Sequence, residues 1–189
     1  MISSLRSLQQ VAPPPAAPVE TGLPEDWPLV AEELDLVLPP DYCALINVYG
    51  SGCFQRLLWP LNPFSEDETL NLVRQAPLLL RAAAERKRQD PAAVPFPVRP
   101  EPGGLFPWAR TDAGDALYWI TSGPAETWPV VAVYASGAAE RFDRSTTTFL
   151  FQWLTGMAAD RLAPPAGAAR PFLSRHEVVP ENAPHDPPA

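Results

Sequence analysis

The chain is poor in the residues that most often do chemistry: it has two histidines, two cysteines and one lysine in 189 residues, and no long apolar run. Each scarcity closes off a class of function. His176 and His185 both lie beyond residue 175, so the body has no histidine for a Ser-His-Asp or Cys-His site. Cys43 and Cys53 stand in no metal-ligand spacing, which leaves a structural zinc without ligands. They read as free, reduced, half-buried thiols of an intracellular protein, one in a helix and one at a strand start. Gly103-Gly104 and Gly114 precede no helix, as a dinucleotide or phosphate loop would require. The sequence therefore predicts no cofactor and no metal. No stretch approaches the ~20 apolar residues of a membrane helix. Residues 1–10 lack the apolar core of a signal peptide. A cytoplasmic protein without membrane contact is the expectation. Thirteen arginines against the single Lys87, with abundant alanine and proline, reflect GC-rich coding more than function.

What is present is negative charge, and it is placed unevenly. The net charge of −8 comes from 22 acids and 14 bases. Residues 20–73 alone hold ten acids and one base, Arg56, and no base at all lies between Arg6 and Arg56. Nucleic acid is excluded as a partner, because phosphate contacts need clustered Lys and Arg. A basic protein is the expected partner.

The pattern of residues predicts one α+β domain, with a mixed, mostly antiparallel sheet packed against helices. Residues 1–22 are Pro/Ala-rich around Pro13-Pro14-Pro15 and are expected to be a disordered arm. Residues 158–189 repeat that composition and are expected to be a flexible tail, in which Phe172-Leu173 is the only pair suited to docking. Between them, residues 23–157 form the domain. Trp27, Val30 and Leu34 have the spacing of a helical face. Pro40 opens a second helix whose stripe is Tyr42, Leu45, Ile46 and Tyr49, ended by Gly50 and Gly52. A strand is expected over 53–58. Ser65-Glu66-Asp67-Glu68 has the form of a capping box for the longest helix, with a kink or fresh start at Pro77. A short edge strand over 94–98 precedes strands near 104–109, 115–121, 128–134 and 139–142. Ser145 caps a last helix closed by Gly156. Four of the six tryptophans, Trp108, Trp119, Trp128 and Trp153, fall in this second half and read as core.

Candidate binding residues follow from the acids. Glu25, Asp26, Glu66, Asp67 and Glu68 lie in predicted first turns of helices, where carboxylates stabilise exposed amides. That leaves Glu32, Glu33, Asp35 and Asp41 as a candidate docking face. Asp112 and Asp115 are the nearest thing to a carboxylate pair. Three residues apart across a tight turn, they read as turn-formers before acid–base catalysts, and they join the candidate partner-binding set.

Several segments together resemble the SUKH superfamily, which includes the Smi/Knr cell-wall regulators of fungi and many bacterial immunity proteins. They are Leu38-Pro39-Pro40-Asp41-Tyr42, Tyr49-Gly50-Ser51-Gly52, the Pro-Gly-Gly-Leu-x-Pro-Trp run at 102–108, Thr111 with Gly114-Asp115, Leu117-Tyr118-Trp119, Trp128-Pro129-Val130-Val131, and Ser145 to Gly156. The likeness spans residues 24–157 and rests on the order and spacing of these segments. It implies a single α+β domain without enzymatic activity. It also implies an antidote that binds and blocks a toxin domain, often a nuclease, made by the same cell. A regulatory or scaffold adaptor is the alternative the fungal members imply. The superfamily shares no set of contact residues that carries over to this chain. Ala109 stands where glycine often follows the tryptophan, a change that matters only if the backbone there needs a positive φ.

Overall fold

The computed structural model describes residues 3–158, 160–162 and 170–178. Its centre is a seven-stranded sheet. In chain order the strands are β1 Gly52–Phe54, β2 Leu58–Pro60, β3 Leu105–Thr111, β4 Ala116–Ile120, β5 Val130–Val133, β6 Ala139–Phe142 and β7 Phe172–Ser174. They lie in the order β6-β5-β4-β3-β2-β1-β7. Every ladder is antiparallel, so the mixed sheet expected from the sequence is an antiparallel one.

The middle strands are buried on both faces, which is why they read as nearly continuous apolar runs. Leu117 and Trp119 of β4, with Val130 and Ala132 of β5, enter the larger core. The intervening Tyr118, Val131 and Val133 enter a smaller core on the opposite face. Helices α1 Ser3–Val11, α2 Asp26–Leu34, α3 Pro40–Tyr49 and α5 Thr146–Leu154 contribute to the first core. Helix α4, Leu72–Gln89, closes the second through Ala83. The tryptophans are core residues. Trp108 and Trp119 stack at 6.0 Å, and Tyr42 sets its edge against Trp119 at 4.9 Å. Buried Trp119 Nε1 keeps a partner by donating to Thr146 Oγ1 at 2.9 Å.

The helix from Pro40 and its stop at Gly50 fall where the residues place them. Ala109 pairs with Leu117 and Pro60 without a positive φ, so the missing glycine costs the strand nothing.

Several expectations are corrected. The predicted strand over 53–58 is a hairpin, because the chain turns through Gln55 and Arg56 at φ 54 and 53. Glycine usually takes such angles, so the residues give no turn signal here. The longest helix starts at Leu72 and not after Ser65: Asn71 caps it, its side chain accepting from Arg74 N at 3.2 Å. The helix runs on through Pro77. Residues 94–98 make only a single bridge, Val98 to Leu105, as the alternating prolines remove ladder donors.

The ends differ most from expectation. The arm 1–22 is not disordered over its described part: Leu5, Leu8 and Ala12 bury themselves against the body, and Tyr49 Oη donates to Ala12 O at 2.6 Å. Each buried leucine contributes about 1.5–3 kcal/mol toward the cost of ordering the helix. The tail is likewise ordered over 172–178, where β7 pairs with β1 and Phe172 packs 4.9 Å from both Tyr49 and Phe54. Residues 159, 163–169 and 179–189 of the tail, His185 included, lie outside the described residues.

Candidate functional site

Two local arrangements stand out, one built from acids and one from buried polar groups. The first is α2 with the loop after it. Its C-terminal end is closed by Asp35 in the left-handed region (φ 47, ψ 44), while Leu36 N donates to Ala31 O at 3.0 Å. Glu32 and Glu33 occupy the last turn, which holds no base. Carboxylates at the negative end of a helix dipole are unfavourable by roughly 0.3–1 kcal/mol each. Glu25, Glu32, Glu33 and Asp35 are all exposed, and among the described residues none of them has an ion-pair partner. Arg99 reaches this end, but donates to the main-chain oxygen of Asp35 at 3.1 Å. The fold gains little from these charges, so three of the six candidate residues (Glu32, Glu33 and Asp35) form one accessible acidic end.

Asp41 does not belong with them. It is only 6 % exposed and accepts from Thr147 N at 2.8 Å and Thr147 Oγ1 at 3.0 Å. It caps α5 from 106 residues away, and Ser145, the expected cap, makes no capping bond. Asp41 is therefore structural, a correction the sequence separation concealed. Asp112 and Asp115 also lie apart from α2, in the turn between β3 and β4. Asp115 accepts from Thr111 Oγ1 at 3.0 Å and from Ala135 N at 2.9 Å, and Asp112 accepts from Trp59 Nε1 at 3.2 Å. Asp115 thus joins the turn to Thr111 and to the turn after β5, and Asp112 ties it to β2, whereas their spacing predicted bonds to the turn's own backbone.

The second arrangement was not legible in the residues. Asn62, fully buried, donates to Ser51 Oγ and to Glu20 O, each at 2.8 Å. Ser51 N donates to Val19 O at 3.0 Å. The Glu20 carboxylate accepts from Ser65 Oγ at 2.9 Å, Glu66 N at 3.0 Å and Arg175 at 2.7 Å. Burial would raise the pKa of Glu20. The bonds from Ser51, the Glu66 amide and Ser65, with the charge of Arg175, outweigh it and hold the group below its ordinary value. Gly50 is required here, since a Cβ would stand 2.0 Å from Val19 O. Arm, body and tail thus meet at one carboxylate. The composition gave no cue, because these partners come from five separate stretches of the chain.

The thiols carry no reactive signature. Burial, aided by the charge of Asp41, pushes Cys43 up to about 12, and burial pushes Cys53 up to about 11. Both are free. The basic side of the molecule is largely satisfied internally. A cleft of about 430 Å³ beside α4 is lined by Lys87, Arg88, Arg99 and Glu101, yet Lys87 pairs with Glu101 at 3.2 Å and Arg88 with Glu85 at 2.6 Å. No group of three or more metal-ligating side chains converges among the described residues. No described helix is long and apolar enough to cross a membrane. No family model, no curated protein and no solved structure matches this chain.

Proposed function

We propose that this chain is a non-catalytic protein-binding module, an immunity protein of SUKH type that occupies and blocks a basic toxin domain. The observation that carries the reading is the concentration of charge: ten acids and one base over residues 20–73, with Glu25, Glu32, Glu33 and Asp35 exposed and unpaired among the described residues. A nuclease draws its substrate with clustered Lys and Arg, so a negative surface complements its groove. The antiparallel α+β architecture agrees with the likeness drawn from the residues. The docked arm and tail weaken the adaptor alternative, which relied on those segments as free tethers.

Co-expression with the toxin domain encoded beside this gene is the test. Rescue of growth together with a one-to-one complex on gel filtration is expected. Survival unaffected by this protein, for each neighbouring toxin, refutes the immunity role. Recovery of housekeeping partners alone from the native cell favours the adaptor.

A further inference from the structure

Resting on the protein-binding reading above, we propose that the ridge formed by α2 and its flanks, residues 23–37, is the docking surface, and that it takes a cationic protein surface with an apolar centre. The apolar part of the argument comes first. Leu23 is 58 % exposed, Leu29 64 % and Val37 72 %, which makes them three of the five large apolar side chains left exposed among the described residues. One exposed leucine needs no explanation, but three of the five large exposed apolar side chains fall in one 15-residue segment. The other two, Leu78 in α4 and Met157 after the end of α5, lie outside this segment.

The ridge is anchored from beneath through two side chains. Val30 is buried, and Trp27 sets its edge 4.9 Å from Phe64 while its Nε1 donates to Asn47 Oδ1 at 3.2 Å. A partner would meet a surface already in place, without first ordering it.

The charge defines what the partner must be. On a helix, positions three and four apart are neighbours. Leu29 is therefore flanked by Glu25 on one side and by Glu32 and Glu33 on the other, with Asp35 just beyond. A purely apolar partner would strip water from these carboxylates and return nothing. A purely cationic one would leave Leu29 and Val37 wet. The fit requires both, which is how hot spots combine an apolar anchor with charged surroundings. An anionic lipid surface or nucleic acid is refused by sign. The carboxylates spread round a leucine and do not converge as metal ligands do.

The test uses the full chain, isotope-labelled for amide NMR, and a synthetic helical peptide of about 18 residues with a leucine stripe between rows of arginine. A second peptide has glutamine for every arginine. Shift changes confined to residues 23–37 are expected with the arginine peptide. Binding should weaken about tenfold or more for the glutamine peptide, for Glu32→Lys/Glu33→Lys and for Leu29→Ser, and should fall with added salt. No shift change in 23–37, changes centred on Leu78 or the 111–115 turn, or equal affinity for both peptides overturns the proposal. All substituted side chains are exposed, and unchanged melting checks that the variants fold.

A second arm replaces the peptide with the toxin domain encoded beside the gene. If the native chain binds it and the ridge variants bind equally, the ridge is wrong and the protein-binding reading survives. If no such domain binds while the peptide still maps to 23–37, the immunity reading fails and the ridge stands.

Discussion

Replacing Glu20 by glutamine removes one charge from a junction on which both ends of the chain converge. Its carboxylate accepts from Ser65 Oγ at 2.9 Å, from Glu66 N at 3.0 Å and from Arg175 at 2.7 Å, and its side chain is only 11 % exposed. Glutamine keeps the shape, can still accept one or two bonds, and loses the charge. A hydrogen bond to a charged group contributes about 1.5–3 kcal/mol, roughly twice a neutral one. Arg175, about a third exposed, recovers part of the loss from water. The expected cost is about 1–3 kcal/mol at neutral pH. For a chain of this length that lowers the melting temperature by roughly 3–10 °C.

Acid supplies the sharper check. The folded pKa of Glu20 lies below its ordinary 4.5, so the stabilisation is complete above that value and is lost as pH falls through the folded one. Glu20→Gln has no such proton to take up. Melting curves of both proteins should therefore lie furthest apart near neutrality and converge below about pH 4.5. Hydrogen exchange should quicken at α1 and β7 together. Equal melting at neutral pH, or a gap that does not narrow in acid, would refute the junction as described.

Further predictions follow from single contacts. Asp41→Ala should cost about 2–3 kcal/mol in denaturant unfolding, since it removes a buried cap and strands Thr147 N; a loss of a few tenths would mean that α5 does not depend on it. Arg56→Gly should raise the urea midpoint by an amount equivalent to about 0.5–1 kcal/mol, by relieving a φ of 53; an unchanged or lowered midpoint would mean the side chain contributes more than the strain. Cys53, whose pKa burial pushes up to about 11, should resist iodoacetamide at neutral pH unless the chain unfolds, as mass spectrometry can follow. Prompt labelling of the native protein would contradict its burial.

How far the residues revealed the fold depended on whether the deciding partner was near in sequence. The stripe of α3, Tyr42, Leu45, Ile46 and Tyr49, and the sequential strands β3 to β6 rest on neighbours a few positions away, and they were legible. The role of Asp41 was not, because its partner Thr147 lies 106 positions on. The arm was misread for a related reason. Three consecutive prolines dominate its composition, while the two leucines that decide its fate need α5 and α3 to pack against. Ser65 carries a good capping signature, yet its hydroxyl donates to Glu20 and accepts only from Asp67 N in the loop, while Asn71 caps the helix. Of the candidate site, Glu32, Glu33 and Asp35 were found by asking which acids had no local duty. The exposed leucine among them was missed, since Leu29 looks like any other core residue until its surroundings are known.

The strand order has a bearing on how the molecule is made. Of the strands in the described residues, β7 is synthesised after the other six, and it completes the side of the sheet begun by β1, some 120 positions earlier. Until residue 174 emerges, Gly52–Phe54 has unsatisfied amides and carbonyls along one margin, and the place of Phe172 between Tyr49 and Phe54 is empty. Such a margin is a template for pairing with other chains. Synthesis of Phe172–Ser174 is thus the step that covers this adhesive margin, and a stop before Phe172 would leave it permanently sticky.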